Sequence, residues 1–145
     1  FGHIGIAREV AGIQGINFKS PDWYKNFAPE VPKAESELKL EVDNQIPELV
    51  PRYSAVCIEG IKIEPSPMWL KAYLTRLGIR PINNIVDITN YMMVLTGQPM
   101  HAFDFDKVKQ NDTETKFIIR HPSKGDKLKV LQGKDLDLHE STITI

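Results

Sequence analysis

Residues Arg80 to Asp106, RPINNIVDITNYMMVLTGQPMHAFDFD, concentrate backbone punctuation and capping side chains more densely than any other stretch of the chain. Pro81 excludes the α region for Arg80, which must end an extended or turning segment with its guanidinium carried on a restricted backbone. Asn83 or Asn84 can then cap a helix, since a short amide side chain accepts from the first free N–H groups. Ile85, Ile88, Thr89, Met92 and Met93 recur at helical spacing, so the pattern predicts a helix over 84–96. Gly97 is placed to stop it in the left-handed conformation, and Gln98-Pro99 prevents its resumption. Met100-His101-Ala102-Phe103 reads as extended, with Met100 and Ala102 facing one side and His101 and Phe103 the other. Arg80 and His101 therefore bracket one helix about 18 Å long. A strand returning along that helix would let them converge, whereas any other path leaves them at opposite ends.

The flanking sequence supplies the elements this unit can pack against. Ile6, Val10 and Ile13 recur at three- and four-residue spacing, with Arg8 and Glu9 on the other face, which predicts a short helix over 4–13 weakened at its end by Gly12 and Gly15. Pro21, Pro29 and Pro32, interleaved with Trp23, Tyr24 and Phe27, rule out a regular element from Phe18 to Pro32; that stretch reads as a linker whose aromatic residues tether it rather than stack on bases. Leu38 to Val42 alternates like a half-exposed strand. Arg52 to Ile63, RYSAVCIEGIKI, reads as another, with a bulge or bend at Gly60 where its apolar phase changes and with Cys57 as a buried, inert thiol. Ser66 followed by Pro67 opens a helix as N-cap and first helical residue. Trp69, Leu70, Tyr73, Leu74 and Leu77 form its apolar stripe, and Gly78 ends it. Residues 107–116 are polar and read as a loop. Phe117 to Arg120 is a short strand, and residues 128–131 and 136–138 form a hairpin on Gly133. The sum is an α+β fold in which the helices over 67–77 and 84–96 pack on a mixed or antiparallel sheet containing 52–63.

Composition bounds the function. A chain of 145 residues with 41% hydrophobic and 26% charged residues has the balance of a globular domain, and its net charge of −1 supplies no global field for nucleic acid. One cysteine excludes an internal disulfide and a cysteine-rich zinc site. His3, His101, His121 and His139 lie too far apart for a histidine metal motif, so no metal site is expected. No serine stands in a nucleophile elbow, and GIQG and GIRP lack the spacing of a phosphate loop, which excludes ATP chemistry by this stretch. No apolar run is long enough for a membrane span, and a cytoplasmic setting fits the single thiol. The run from Ser141 to Ile145 has no closing turn, and the chain opens on Phe1, so both ends read as cut. By residue type alone Arg80 and His101 are capping or structural side chains, and Asn83, Asn84, Asp87, Thr89 and Asn90 are scaffold that satisfies buried backbone groups.

The segment GIRPINNIVDITNYMMVLTGQPMHAFD closely resembles the signature of the β subunit of bacterial phenylalanyl-tRNA synthetases, in their central B3/B4 domain. Pro51-Arg52-Tyr53, Ser66-Pro67-Met68-Trp69-Leu70 and the GIAREV run at residues 5–10 resemble the same family. The resemblance implies a helix from the preceding domain over 1–17, a proline-rich linker over 18–36 and a truncated B3/B4-like domain over 37–145. It implies a phenylalanine-tRNA ligase that works as an α2β2 tetramer on tRNA(Phe), with aminoacylation, ATP and magnesium belonging to the α subunit. It also implies that Arg80 and His101 line an editing pocket, with Pro81, Asn83, Asn84, Asp87, Asn90, Gly97 and Pro99 building the motif around them. A glutamate and a threonine that complete the family's pocket are expected beyond Ile145, so the isolated chain is expected to be inactive. Such a pocket answers a physical need. A hydrophobic site chosen for phenylalanine rejects tyrosine by only about a hundredfold, so a second site must read the hydroxyl. There Arg80 suits anchoring of the substrate and His101 suits orienting the attacking water or the terminal ribose. The alternative is a non-catalytic module of the same fold that binds RNA or protein.

Overall fold

The computed structural model describes residues 2–25, 38–130 and 133–145. Part of the tethering linker, including Phe27, Pro29 and Pro32, lies outside the described residues, as do Leu131 and Gln132 of the hairpin; within the described part Asp22–Lys25 forms one helical turn after Pro21, where no regular element was expected. In chain order the elements are α1 (His3–Ile13), α2 (Asp22–Lys25), β1 (Lys39–Asn44), α3 (Met68–Arg76), α4 (Asn84–Thr96), α5 (Phe105–Val108), β2 (Glu114–Ile119), β3 (Lys127–Lys129) and β4 (Asp135–Asp137). The described residues group into two compact units, one from 2–25 and 60–103, the other from 38–59 and 104–145.

The first unit is helical. α4 packs against both α1 and α3. On α3, Leu70 and Leu74 are 2% and 0% exposed and form the buried stripe. Trp69 and Leu77, expected in that stripe, are 59% and 42% exposed, because the inward arc of a nine-residue helix centres on positions 70 and 74 and leaves its flanks outside. The N-terminus of α3 also differs from expectation. Pro67 is the N-cap, and the Ser66 hydroxyl is used elsewhere, donating to Asp87 Oδ2 at 2.5 Å. α1 presses its first residues on the end of α4 closely enough that a Cβ on Gly2 would stand 2.4 Å from the Gly97 nitrogen. Ile4 and Ala11 are its buried positions.

The second unit holds two two-stranded sheets. β1 and β2 pair in parallel, from Lys39 opposite Glu114 to Asn44 opposite Ile119, and β3 and β4 pair antiparallel. A parallel pair needs a long crossover, and here the chain between the strands supplies the whole of 60–103. Lys116 bridges to Glu41 at 2.7 Å and Asp43 at 3.3 Å, tying the strands across the sheet. Ile119, at 0% exposure, is the buried anchor of β2.

Two expected strands do not form. Residues 52–59 and 61–67 form no ladder and no helix, and Gly60 within the run has φ 70°. Val56 and Ile58 are each 68% exposed, so the high β propensity of this run finds no neighbour among the described residues, and Cys57 is half-buried rather than sealed. Residues 98–104 likewise form no strand. Among the described residues the sheets are therefore not built on 52–63, and the one longer pair is parallel.

Candidate functional site

Arg80 stands in the connection between α3 and α4, within a four-residue stretch, Ile79 to Ile82, whose two ends are pinned by different devices. On the α3 side, Gly78 adopts φ 77°, its N–H donates to the Thr75 carbonyl at 3.0 Å, and the Ile79 N–H donates to the Leu74 carbonyl at 3.0 Å. These two bonds are the Schellman closure, which satisfies the free carbonyls of the last turn and fixes the backbone direction leaving it. On the α4 side, the Ile82 N–H donates to Asp87 Oδ1 at 2.8 Å. Pro81 removes one torsion from the two-residue span left between the pinned positions. The Arg80 side chain is exposed and, among the described residues, takes part in no hydrogen bond or ion pair.

Asn83 and Asn84 bond backbone groups in different ways. Asn83 Oδ1 accepts from the N–H groups of Ile85 and Val86 at 3.1 and 3.0 Å, capping α4. Asn84 reaches back to the extended segment before α3: its N–H donates to the Glu64 carbonyl at 2.9 Å, its Nδ2 to the Lys62 carbonyl at 2.9 Å, and its Oδ1 accepts from the Glu64 N–H at 3.2 Å. Asp87 is fully buried, its two oxygens taken by Ile82 and Ser66 in the first turn of α4, where the helix dipole favours negative charge. Among the described residues the half-buried Asn90 makes no side-chain hydrogen bond.

At the other end of α4, Gly97 is left-handed at φ 81° and its N–H donates to the Met93 carbonyl at 2.8 Å. The Thr96 hydroxyl donates to the Met92 carbonyl at 2.7 Å and accepts from the Gln98 N–H at 3.1 Å, which turns the chain out of the helix. Past Pro99, His101 is exposed and, like Arg80, has no hydrogen bond or ion pair among the described residues. Both are thus displayed to solvent in the helical unit, and no direct interaction joins them. A shallow cleft of that unit is lined by His3, Ile4, Ala7, Phe18, Lys19 and Leu95, and neither Arg80 nor His101 borders it.

One constellation escaped the sequence reading. Trp69, Tyr91, Tyr73 and His3 form an edge-to-face row, with successive ring centroids 5.6, 5.2 and 5.8 Å apart, that links α3, α4 and α1. Burial, with Tyr91 beside it, pushes the Tyr73 hydroxyl above the ordinary tyrosine range. Trp69 and Tyr73 are four apart on α3, and that spacing is a usable signal; reading both as core hid it.

The B3/4 domain family matches residues 49–145. The chain is 39% identical over 142 residues to the phenylalanine–tRNA ligase beta subunit of Carboxydothermus hydrogenoformans, an alignment covering 98% of this chain and 16% of that protein. It is 39% identical over 145 residues to the beta subunit of Rhodopirellula baltica, covering 99% and 20%, and 37% identical over 142 residues to that of Symbiobacterium thermophilum, covering 98% and 15%. The chain therefore spans a fifth or less of the length of these relatives.

Proposed function

The chain belongs to the B3/4 domain family, and on that premise we propose that it is part of a phenylalanine-tRNA ligase beta subunit and supplies one wall of a pocket that hydrolyses tyrosine wrongly attached to tRNA(Phe). The observation that supports this reading best is the display of Arg80: a guanidinium with no partner among the described residues, on a backbone tied down on both sides. A site that must place a substrate to within a fraction of an ångström needs such a fixed anchor.

In the proposed reaction water attacks the ester carbonyl carbon, the carbon–oxygen bond to the ribose breaks, and the ribose oxygen takes a proton as tyrosine leaves. Arg80 holds the anionic or carbonyl side of the aminoacyl end, where its planar fork of donors matches oxygen acceptors. His101 orients the water or the ribose through its ring nitrogens. The pocket is completed by residues outside this chain, so the chain alone is expected to hydrolyse no tyrosyl-tRNA. The parent enzyme would pair this subunit with an alpha subunit and bind tRNA(Phe). In this reading ATP and magnesium belong to the alpha subunit and no step is routed through them; among the described residues there is no group of three His, Cys, Asp or Glu side chains that could bind a metal ion.

The test is deacylation of tyrosyl-tRNA(Phe) by the assembled ligase. Arg80→Ala is expected to slow hydrolysis at least about tenfold while phenylalanine charging is nearly unchanged. Equal loss of both activities would make Arg80 a folding residue. The second reading, a non-catalytic module binding RNA or protein, is favoured by one fact: Arg80 and His101 flank opposite ends of α4, with no strand following it to carry His101 back. Normal hydrolysis in both Arg80→Ala and His101→Ala enzymes would establish it.

A further inference from the structure

We propose that the buried carboxylate of Asp87 is a positioning residue for Arg80, an inference that rests on the editing reading above and adds to it the element that holds the anchor still. Asp87 is 0% exposed and both its oxygens are engaged, Oδ1 by the Ile82 N–H at 2.8 Å and Oδ2 by the Ser66 hydroxyl at 2.5 Å. Ser66 is itself buried, directly before the first residue of the α3 cap.

The placement is costly if it serves folding alone. Among the described residues no cation pairs with Asp87, burial of an unpaired carboxylate is unfavourable, and a helix that already has an Asn83 cap does not need it. What the carboxylate does, and an apolar residue could not do, is hold a backbone N–H two residues beyond Arg80 while tethering that point to the start of α3. The Schellman closure fixes Ile79 against Leu74, a side chain with no exposure, so Arg80 and Pro81 hang between two immobile points. Freeing Ile82 moves the nearest tether on that side of Arg80 out to Asn83 and Asn84 and lengthens the span in which Arg80 and Pro81 hang. The guanidinium, at the tip of a long side chain, amplifies any backbone shift, and misplacement of about 1 Å at a substrate anchor costs up to roughly a hundredfold in rate. Asp87 touches no substrate in this scheme and acts through Ile82 and Arg80.

The experiment uses the assembled ligase and measures kcat/KM for tyrosyl-tRNA hydrolysis beside phenylalanine charging, for Arg80→Ala, Asp87→Ala, Asp87→Asn and the Arg80→Ala/Asp87→Ala double variant. Asp87→Ala is expected to lower hydrolysis by about 10- to 100-fold with charging retained. Asp87→Asn is expected to remain within about threefold of the parent, because its amide oxygen still accepts from Ile82 and its nitrogen can donate to the Ser66 oxygen. In the Arg80→Ala background the Asp87→Ala loss should shrink below about twofold, the signature of two residues acting as one unit. A loss that persists undiminished there would overturn the proposal and leave Asp87 a folding residue. An Arg80→Ala enzyme with normal hydrolysis would instead overturn the editing reading itself, and the positioning role with it. If Asp87→Ala fails to assemble, Ser66→Ala decides: a severalfold loss of hydrolysis that vanishes without Arg80 supports the role, and either no loss or an equal loss in both backgrounds overturns it.

Discussion

Asn83 and Asp87 stand four residues apart at one helix end, and their burial separates their roles. Asn83 is half-buried and satisfies two N–H groups that every helix start leaves open. Replacing it with alanine should cost about 1 kcal/mol, and replacing it with aspartate or serine much less, since both retain a capping oxygen. Urea unfolding checks this, and a loss above about 3 kcal/mol would mean that Asn83 holds more than the cap. A cap by Asn83 or Asn84 was legible from sequence because a capping side chain bonds within three residues of itself, and the structure gives that role to Asn83. Asn84 and Asp87 were readable as scaffold but not in their partners, Lys62, Glu64 and Ser66, which lie about twenty residues away. Ser66 shows the hazard of local reading: its position suits an N-cap, yet its hydroxyl serves a buried carboxylate on another helix.

Helices were more legible than strands, for a physical reason visible in α4 and in residues 52–63. The bounds of α4 follow from Asn83, Gly97 and an apolar period, all inside the element. A strand needs a partner, and β propensity in RYSAVCIEGIKI says nothing of whether one is present; β1 and β2 paired with each other across some seventy residues instead. On α3 the period predicted a stripe, while packing decided which of its members are inside. Leu74→Ala should therefore cost about 2–5 kcal/mol, through lost burial and the cavity left behind, whereas Leu77→Ala, at 42% exposure, should cost less than about 1 kcal/mol. Denaturant midpoints for the two variants check this, and equal losses would place Leu77 in the core after all.

Charge divides unevenly along the chain. Among the described residues the helical unit carries seven Lys and Arg against four Asp and Glu, so the unit bearing Arg80 and His101 is net positive within a chain of net charge −1. That local excess suits a polyanionic partner better than the total does. In the strand unit, Gln45 and Lys116 hold Asp43 below the ordinary carboxylate range, Asn111 and Lys39 do so for Glu114, and the Ser123 N–H and Arg120 for Asp126. A carboxyl whose folded pKa is depressed adds stability that is fully present above its unfolded value and is lost as pH falls through the folded one. Stability of the strand unit should therefore hold from neutral pH to about pH 5 and decline progressively below about pH 4, which urea midpoints across that range would follow. A midpoint unchanged down to pH 2 would remove these contacts from the account. The central claim, that Arg80 and His101 serve one hydrolytic pocket, is tested most directly by tyrosyl-tRNA(Phe) deacylation in the assembled ligase carrying His101→Ala. The predicted result is hydrolysis slowed by about 10- to 100-fold with phenylalanine charging nearly unchanged; hydrolysis at the parental rate, or parallel loss of both activities, would contradict it.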